Sequence, residues 1–279
     1  MSIGNPLSSK IVLVTGSTDG VGRHVAIELA RQGATVLVHG RDQKRGEAVV
    51  DGIRRDGGAA TFYQADFSSL EGVRALAAAV RKDHTRLDVL INNAGIGTRS
   101  GGAQRRTSAE GYELRFAVNY LAGFHLTHLL LPLLRASRPA RIVNVASAGQ
   151  MPIDFDDVML TRHYDGAQAY CQSKLAQIMF TIDLAVVELA GSGVTANSLH
   201  PATYMATTMV REAGVAPAST VEEGGEAILR LAVAPELEGR TGLYFNRTQE
   251  ARAHGQTYDA AARARLRKLS LELTDLSRA

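Results

Sequence analysis

The sequence predicts an α/β fold in which a doubly wound, mostly parallel sheet of seven strands has helices on both faces. Short, apolar, β-branched runs alternate with longer segments in which apolar residues recur at helical spacing. Strict alternation of strand and helix is typical of parallel strands joined by right-handed crossovers. The predicted strands are almost wholly apolar, as expected when both faces of a sheet are covered by helices.

Each predicted element follows from its local pattern. The strands are predicted at residues 11–15, 35–39, 60–65, 89–92, 141–146, 194–199 and 242–245. Helices are predicted at residues 21–32, 43–55 and 70–82, with longer ones from about Ser108 to Arg135 and from about Gly166 to Ala190. No Pro- or Gly-rich linker and no internal repeat divides the chain, so we expect a single domain over residues 1–279.

Length and composition exclude several classes of protein. The chain has 279 residues, with 31 Lys or Arg, 28 Asp or Glu and a formal net charge of +3. Its 45% hydrophobic and 21% charged residues are typical of a globular protein and not of a disordered one. The small charge excess does not favour nucleic acid as a partner. The single cysteine, Cys171, cannot form an internal disulfide, which fits a reducing compartment.

No targeting or membrane segment is predicted. The first ten residues are polar and lack the apolar core of a secretory signal, so we expect a cytoplasmic protein. The most apolar stretch, residues 121–134, is shorter than a membrane span and contains His125, His128 and Pro132. It predicts a buried helix and no membrane span.

A glycine-rich turn joins the first strand to the first helix. Gly16, Gly20 and Gly22 lie there, where glycine lets the backbone approach a pyrophosphate and the free N–H groups of the helix start attract negative charge. Glycines also form ordinary tight turns, so the position after the first strand of an alternating series is what favours nucleotide binding. The spacing reads T-G-x-x-x-G-x-G, whereas the common dinucleotide fingerprint reads G-x-G-x-x-G.

Three motifs in this order resemble the short-chain dehydrogenase/reductase family. They are T-G-S-T-D-G-V-G ending at Gly22, N-N-A-G ending at Gly95 and Y-C-Q-S-K ending at Lys174. The resemblance extends from Lys10 to about Thr274 and implies a Rossmann-like, NAD(P)-binding domain. The long interval between Ser147 and Tyr170, which contains I-D-F-D-D, resembles the retinol-dehydrogenase-like branch, which acts on lipophilic alcohols and ketones.

The resemblance also implies which residues bind the nicotinamide cofactor. These are Gly16, Ser17, Thr18, Gly20, Val21, Gly22, Arg41, Asp66, Phe67, Asn93, Ala94, Gly95, Tyr170, Lys174, Pro201, Thr203 and Thr207. Ala202 replaces the glycine that the family usually has after its proline, so the backbone there must avoid a positive φ angle. Either Thr203 or Thr207 then makes the family's threonine contact with the cofactor.

The end of the second strand predicts NADP(H) as the preferred cofactor, with NAD(H) as the alternative. Gly40 stands where an acidic residue would bind the ribose hydroxyls of NAD, and the guanidinium of Arg41 can pair with a 2′-phosphate. The alternative is that Arg41 is a solvated loop residue, with Asp42 capping the next helix. Asp19 is unfavourable if it faces that phosphate. Asp66 resembles the residue that contacts the adenine ring, although capping of the following helix is nearly as good an interpretation.

The catalytic prediction rests on Tyr170 and Lys174, which lie four residues apart on one helical face. A nearby ammonium favours the phenolate, so Tyr170 could exchange a proton with a carbonyl or alcohol near neutral pH. Such a pair can also be a packed ring beside a snorkelling chain. Ser147 follows the fifth strand and could hold the substrate oxygen, or be an ordinary turn residue. By resemblance, Asn119 completes the tetrad by holding a water beside Lys174.

These motifs predict a carbonyl reductase or alcohol dehydrogenase whose partner is a lipophilic small molecule. In reduction, hydride passes from C4 of the nicotinamide to the carbonyl carbon while Tyr170 protonates the oxygen. Two alternatives stay open: a non-redox, cofactor-bound regulator or scaffold, and an epimerase or dehydratase that oxidises its substrate transiently. Relatives often form dimers or tetramers through their long helices, so a homodimer or homotetramer is expected.

Three further features of the sequence give weaker indications of structure or function. Met205, Met209 and Val210 favour a mobile lid with an apolar inner face at about residues 203–219, or an ordinary surface loop. The predicted C-terminal helix, at about residues 257–274, carries a basic cluster that is more often a solvated face than a membrane or partner site. Its residues are Arg263, Arg265, Arg267 and Lys268. His125 and His128 lack a third ligand, so no metal site is predicted.

Overall fold

The computed structural model describes residues 7–99 and 104–276. The first ten residues are the segment predicted to lack a secretory signal, and residues 1–6 of it lie outside the described residues. Within the described part of the chain, eight strands form one sheet in the order β3-β2-β1-β4-β5-β6-β7-β8. They are β1 (Ile11–Val14), β2 (Thr35–Gly40), β3 (Ala59–Gln64), β4 (Val89–Asn92), β5 (Ala140–Val145), β6 (Val194–His200), β7 (Tyr244–Asn246) and β8 (Gln249–Glu250).

The pairing of these strands confirms the predicted parallel sheet. Strands β1 to β7 are all parallel to their neighbours, and the two-residue β8 is antiparallel to β7. All seven predicted strands are present within two residues of their predicted bounds, and β8 is a short addition at the edge. Antiparallel edge strands on otherwise parallel sheets are common in this class of fold.

Helices connect the strands and cover both faces of the sheet. They are α1 (Gly20–Arg31), α2 (Gln43–Arg55), α3 (Leu70–Asp83), α4 (Ala122–Ser137), α5 (Gly166–Val187), α6 (Thr208–Glu212), α7 (Val221–Val233) and α8 (Ala260–Leu273), and a π-helix (Phe116–Leu121) runs directly into α4. Helix α7 was not predicted, and α6 lies within the segment predicted as a lid, a surface loop or a short helix. Helix α7 begins with a capping box between Thr220 and Glu223, a signal that the sequence does carry.

The predicted start of the long helix at Ser108 is wrong, because the π-helix begins at Phe116. An antiparallel bridge between Thr107 and Glu113 folds the preceding residues into a turn. The buried carboxylate of Glu113 then accepts a hydrogen bond from the Phe116 N–H, at 2.7 Å, and so caps the helix start. Helix α5 likewise ends at Val187 and not at Ala190.

The core consists of two apolar layers, one on each face of the sheet. Alternate residues of a strand point to opposite faces. Leu13 therefore packs in the layer with α3, α4 and α5, while Val12 and Val14 pack in the layer with α1, α2 and α7. Helix α5 is buried on nearly every side, because α8 packs against the side that faces away from the sheet.

One helical stretch in the described part of the chain, Phe116–Ser137, is long and apolar enough to cross a membrane by length and composition. In this structure 78% of its most apolar window is buried inside the protein. The same test is passed by core helices, and the stretch forms the centre of the layer that contains Leu130 and Leu134.

Candidate active site

The candidate site lies where the strand order reverses at the centre of the sheet. From β1 the chain continues to β2 and β3 on one side and then returns to β4 on the other. In open α/β sheets, ligands bind in the crevice at the carboxyl ends of the strands at this point. Gly16, Asn93, Ser147 and Pro201 follow β1, β4, β5 and β6, so the structure brings the predicted site residues to one edge of the sheet.

Two glycines of the glycine-rich turn pack against the loop after β4. Gly16 has a φ of +64°, and a Cβ there would lie 2.8 Å from the Cα of Ala94. A Cβ at Gly22 would overlap the side-chain nitrogen of Asn93 and the carbonyl oxygen of Gly16. Larger residues at these positions would push the turn away from the β4 loop. The side chain of Val21 is buried in the first turn of α1.

The next two residues of the turn face the second strand. Ser17 is fully buried: its hydroxyl donates to the Val14 carbonyl and accepts from the His39 N–H, so this group ties the turn to the sheet. The side chain of Thr18 lies against Gly40, where a Cβ would overlap its methyl group. Thr18 therefore leaves no room at position 40 for the acidic residue that would bind the ribose of NAD.

The carboxylate of Asp19 is held by protein groups at the start of α1. It accepts from the Gly20 N–H at 2.8 Å and lies 3.8 Å from the guanidinium of Arg45. Partial burial opposes ionisation, but hydrogen bonds from Thr208 and Gly20 and the nearby Arg45 and Arg211 bring its pKa below the usual value. The negative charge of Asp19 is thus offset by two arginines, one on α2 and one on α6.

The residues predicted to bind the adenosine half of the cofactor differ in exposure. Arg41 is exposed, and its side chain has no hydrogen bond or ion pair with any residue that the structure describes. Asp66 accepts from the Ser68 N–H at 2.9 Å in a local turn before α3, whose N-cap is Ser69, so Asp66 does not cap the helix. The ring of Phe67 is buried and stacks on His39 with centroids 4.3 Å apart, so it packs in the core.

The N-N-A-G loop is fixed to the first strand by hydrogen bonds. The hydroxyl of Thr15 accepts from the N–H groups of Asn93 and Ala94, and the Asn93 side chain donates to the Thr15 carbonyl at 2.8 Å. A Cβ at Gly95 would lie 3.3 Å from Oδ1 of Asn119 and 3.6 Å from Nζ of Lys174. Gly95 therefore lies between two of the four predicted catalytic side chains.

Ser147 and Tyr170 lie side by side at the crevice: a Cβ at Gly149 would lie 3.5 Å from Oγ of Ser147 and 3.9 Å from Cε1 of Tyr170. The hydroxyl of Ser147 accepts from the Gly149 N–H at 3.0 Å, and its carbonyl accepts from Tyr244 at 3.2 Å, so the loop is held on two sides. Burial raises the pKa of Tyr170, and the neighbouring Ser147 hydroxyl offsets this only in part. Tyr170 is therefore a protonated phenol at neutral pH.

Lys174 lies one turn beyond Tyr170 and is only 4% exposed. Its Nζ donates to the Val145 carbonyl at 2.9 Å and to Oε1 of Gln177 at 3.0 Å, and lies 5.7 Å from the centroid of the Tyr170 ring. Burial lowers the pKa of Lys174 to about 7. The expected lowering of the Tyr170 pKa by this ammonium is wrong for the protein alone, because burial raises that pKa and the group that lowers it is Ser147 and not Lys174.

Asn119 lies in the π-helix, a geometry that often marks functional sites. Its side chain accepts from the Ile96 N–H at 2.7 Å and donates to the Ile96 carbonyl and to the hydroxyl of Ser173. Asn119 thus joins the loop after β4 to α5. Together with the contacts of Gly95, this places all four predicted tetrad residues around one crevice.

The two threonines weighed for the cofactor contact lie in different surroundings. Thr203 pairs with the ring Nε2 of His200 at 3.0 Å, next to β6. Thr207 caps α6, and a Cβ at Gly20 would lie 3.2 Å from its methyl group. Thr207 therefore lies against the glycine-rich turn and Thr203 does not. As predicted, Ala202 avoids a positive φ angle.

Residues 203–219, the predicted lid, form a loop that carries α6 and closes on itself through a parallel bridge between Met205 and Ser219. None of the five residues of α6 is buried. Met205 packs against α7, because a Cβ at Gly224 would overlap its sulfur. The segment is therefore anchored at one end, and along α6 its residues are half-buried or exposed.

Comparison with known proteins agrees with this geometry. Residues 10–217 match the family described as short chain dehydrogenase. The chain is a short-chain dehydrogenase. It is 35% identical to human retinol dehydrogenase 13 over 290 residues, a match that covers 97% of this chain and 86% of the human protein. The chain thus resembles the retinol-dehydrogenase branch over nearly its whole length.

Solved structures share the fold. The dehydrogenase superposes with a TM-score of 0.77 on an uncharacterized protein from Mycobacterium paratuberculosis, at 29% identity, covering 96% of this chain and 94% of that one. It superposes with a TM-score of 0.67 on the RhlG/NADP active-site complex of Pseudomonas aeruginosa, at 29% identity, covering 88% and 97% of the two chains. The second structure holds NADP.

The basic cluster of the dehydrogenase is largely engaged within the protein. Arg267 pairs with Asp183 of α5 at 2.7 Å, and Arg265 pairs with Asp156 at 3.0 Å. Arg263 donates to the Thr257 carbonyl at 2.8 Å. These arginines hold α8 and the loop before α5 together, which disfavours a membrane or partner surface.

The two histidines of α4 have separate surroundings. His128 pairs with Glu188 at 3.1 Å, whereas His125 is buried and has no hydrogen bond in the structure. Burial lowers the pKa of His125 to about 4, so it is neutral. Among the described residues, no group of three or more His, Cys, Asp or Glu side chains could hold a metal ion.

Sequence reasoning missed Gln177. A glutamine inside a helix normally indicates a solvated face, yet Gln177 is 4% exposed and contacts the ammonium of Lys174. Its only sequence signal is its spacing of three from Lys174, which places the two on one helical face. That spacing has no meaning until the face is known to be buried.

Proposed function

We propose that this dehydrogenase transfers hydride between NADP(H) and a lipophilic ketone, aldehyde or secondary alcohol, with Tyr170 as general acid and base. The observation that carries the proposal is the clustering of four side chains: Ser147 and Tyr170 lie together beside Gly149, and Asn119 and Lys174 lie together beside Gly95. Donor and acceptor hydroxyls placed at the end of a parallel sheet suit proton transfer to a carbonyl oxygen.

The residues present fit a dinucleotide. Gly16, Gly20 and Gly22 bring no side chain to the start of α1, where the free N–H groups favour a pyrophosphate, and the carboxylate of Asp19, which accepts from the Gly20 N–H there, is offset by Arg45. Bound there, the nicotinamide supplies or accepts the hydride, and the chain's own residues supply position and protons. Ser147 holds the substrate oxygen, Tyr170 gives or takes its proton, and Lys174 holds the nicotinamide ribose.

The protonated state of Tyr170 favours the reductive direction. Burial raises its pKa, so at neutral pH the hydroxyl carries the proton that a reduced carbonyl oxygen needs. In the oxidative direction the same group must first lose a proton, which becomes easier with rising pH. We therefore expect reduction to be favoured near neutral pH and oxidation at alkaline pH.

Two observations support NADP(H) over NAD(H). Thr18 fills the space that an acidic side chain at position 40 would need, and Arg41 is exposed beside it with its guanidinium unengaged by described residues. The RhlG complex, which shares this fold, holds NADP. A guanidinium at this place can pair with the 2′-phosphate of NADP.

A lipophilic substrate is supported by the retinol dehydrogenases among the relatives and by the apolar residues of the 203–219 lid. We also propose that this lid opens and closes, that the protein is cytoplasmic, and that it forms a homodimer or homotetramer. Size-exclusion chromatography and hydrogen exchange of residues 203–219 with and without cofactor measure the oligomeric state and the motion.

The catalytic role is tested with Tyr170→Phe, with Tyr63→Phe as the matched control. The hydroxyl of Tyr63 bonds to Asp83 and takes no part in the Ser147 contact. We expect Tyr170→Phe to lose at least about a thousandfold in ketone reduction while it still binds NADPH, as followed by nicotinamide fluorescence. Normal turnover by Tyr170→Phe would contradict the proposal, and binding of neither cofactor by the folded wild-type protein would favour the scaffold alternative.

The cofactor choice is tested with Arg41→Ala, with Arg55→Ala on the exposed end of α2 as the control. We expect Arg41→Ala to weaken NADPH binding about tenfold or more and to leave NADH binding unchanged, because the lost contact is to the 2′-phosphate. Equal weakening of both cofactors would show that Arg41 does not select between them. Consumption of cofactor with a ketone also separates a reductase from an epimerase, which regenerates its cofactor.

A further inference from the structure

The ammonium of Lys174 is held by two oxygen atoms of the protein. One is the Val145 carbonyl at the end of β5, at 2.9 Å, and the other is Oε1 of Gln177, at 3.0 Å. Lys174 and Gln177 are each 4% exposed, so the contact between them is shielded from water. An ammonium has three N–H donors, so this arrangement leaves one for a further partner.

Burial makes these acceptors important, because it penalises the charged form of Lys174. Its pKa falls to about 7, so near neutral pH the charged and neutral forms are nearly balanced. An oxygen that accepts a hydrogen bond from the ammonium favours the charged form. The Val145 carbonyl belongs to the main chain, whereas Gln177 supplies the one side-chain oxygen found within hydrogen-bond distance of Nζ among the described residues.

No carboxylate of the described residues compensates the charge, since burial is the cause of the Lys174 shift. The titratable groups that face Lys174 are Tyr170 on its own helix and His200 at the end of β6. Tyr170 stays protonated, and His200, with a pKa of about 4, stays neutral above pH 6. The β4 loop and the π-helix present only Gly95 and Asn119, which are uncharged.

The turn that carries Gln177 is itself anchored to β5. The main-chain carbonyl of Gln177 accepts from the Thr181 hydroxyl at 2.7 Å, and that hydroxyl accepts from the side chain of Asn144 at 2.8 Å. Asn144 lies next to Val145, which provides the other acceptor for Lys174. The two oxygens that hold the ammonium are therefore fixed relative to each other by a buried hydrogen-bonded chain.

We propose that Gln177 is a positioning residue, whose side-chain oxygen holds the ammonium of Lys174 against β5 and keeps it charged beside Tyr170. The inference rests on the function proposed above for Tyr170 and Lys174. It assigns to Gln177 no contact with substrate or cofactor. Its effect on the reaction passes through Lys174 alone.

The test uses Gln177→Met, which keeps the length of the side chain but removes the acceptor, and Gln177→Glu, which adds a negative charge. The first readout needs no cofactor: the free energy of unfolding in urea is measured from pH 5.5 to 9. Lys174 makes this stability rise with pH above its native pKa, because unfolding then takes up a proton. The rise begins near pH 7 in the wild type.

The two variants should move this onset in opposite directions. We expect Gln177→Met to lower it by about one pH unit, because a hydrogen bond to a charged group is lost, and Gln177→Glu to raise it by at least as much. The pH profile of NADPH-dependent ketone reduction should follow. The alkaline limb of this profile should move to lower pH in Gln177→Met and to higher pH in Gln177→Glu, because reduction needs the charged lysine.

Gln172→Met is the matched control, since Gln172 is a buried glutamine of the same helix that donates to the Val158 carbonyl and not to Lys174. It should leave the onset at its wild-type pH. The positioning role would be overturned if stability begins to rise at the same pH in the wild type and all three variants. It would also be overturned if the two Gln177 variants shift that pH in the same direction. A failure of the proposed function would be distinguishable from this. The variants would then have no effect on ketone reduction, but the pH at which stability begins to rise would still shift.

Discussion

Replacing Lys174 with methionine should make the protein more stable at neutral and mildly acidic pH. The native pKa of Lys174 is about 7, against 10.5 in a free side chain, because the ammonium is buried. This difference of about 3.5 pH units corresponds to about 5 kcal/mol, which is the cost of burying the charge. The methionine variant avoids that cost but removes the donor from the Val145 and Gln177 oxygens, at about 1 to 3 kcal/mol each, so we expect a net gain of about 1 kcal/mol.

The sign of the pH dependence follows from the two protonation states. Below pH 7, Lys174 is charged in both the folded and the unfolded chain, so its cost is present in full and does not change. Between pH 7 and 10.5 the folded protein is neutral there and unfolding takes up a proton, so the wild type gains stability as the pH rises. The free energy of unfolding of Lys174→Met, relative to that of the wild type, should therefore fall by about 3 kcal/mol between pH 6.5 and 9.

The assay is urea unfolding followed by circular dichroism at pH 6.5 and pH 9, for both proteins and at two protein concentrations. Titrations that the two proteins share cancel when their stabilities are compared at each pH. The buried histidines His39, His125 and His200 have pKa values of about 4, so their contribution is complete by pH 6.5. Burial raises the pKa of Tyr63 and Tyr120, so they contribute only at higher pH.

Parallel stability curves for the wild type and Lys174→Met would refute the reasoning, because the wild type would then carry no buried charge that titrates in this range. A loss of stability in the variant at pH 6.5 would show that the two orphaned oxygens outweigh the relief of burial. Loss of ketone reduction should accompany the gain in stability, as expected for a residue kept for function.

Two further predictions concern close packing at the glycine-rich turn. Gly22→Ala should lower the free energy of unfolding by about 1 to 3 kcal/mol and weaken binding of both cofactors, because its Cβ would overlap Asn93. The control is Gly52→Ala, whose Cβ would have nothing within 4 Å and which should be neutral or stabilising by up to about 1 kcal/mol. Thermal unfolding measures the stability of both variants, and nicotinamide fluorescence measures their cofactor binding. Gly40→Asp alone should lower stability and binding because of the clash with Thr18, while Gly40→Asp combined with Thr18→Ala should prefer NADH in the same titration. Full stability of Gly22→Ala, or tight NADH binding by the single Gly40→Asp variant, would contradict the packing argument.

Features that depend on neighbours along the chain could be predicted from the sequence. The alternation of strand and helix gave the parallel sheet, and the glycine triplet marked the turn at the end of β1. The spacing of four between Tyr170 and Lys174 placed both on one face of α5. These conclusions need only backbone geometry and the periodicity of side chains.

Features set by distant contacts could not be predicted in the same way. The long helix begins at Phe116 and not at Ser108 because Glu113 bridges to Thr107 and caps the helix, and the basic residues of α8 are engaged because Asp156 and Asp183 face them. Each contact joins elements whose meeting depends on the packing of the whole chain.

The chemistry of the site shows the same division. By itself, the sequence predicted that the motif residues come together, because the carboxyl ends of parallel strands meet at one edge of the sheet. Only the tertiary structure decided how those groups ionise. Burial raises the pKa of Tyr170 and lowers that of Lys174, and Gln177 becomes a partner of the ammonium. Burial is a property of packed elements, so no local pattern specifies it.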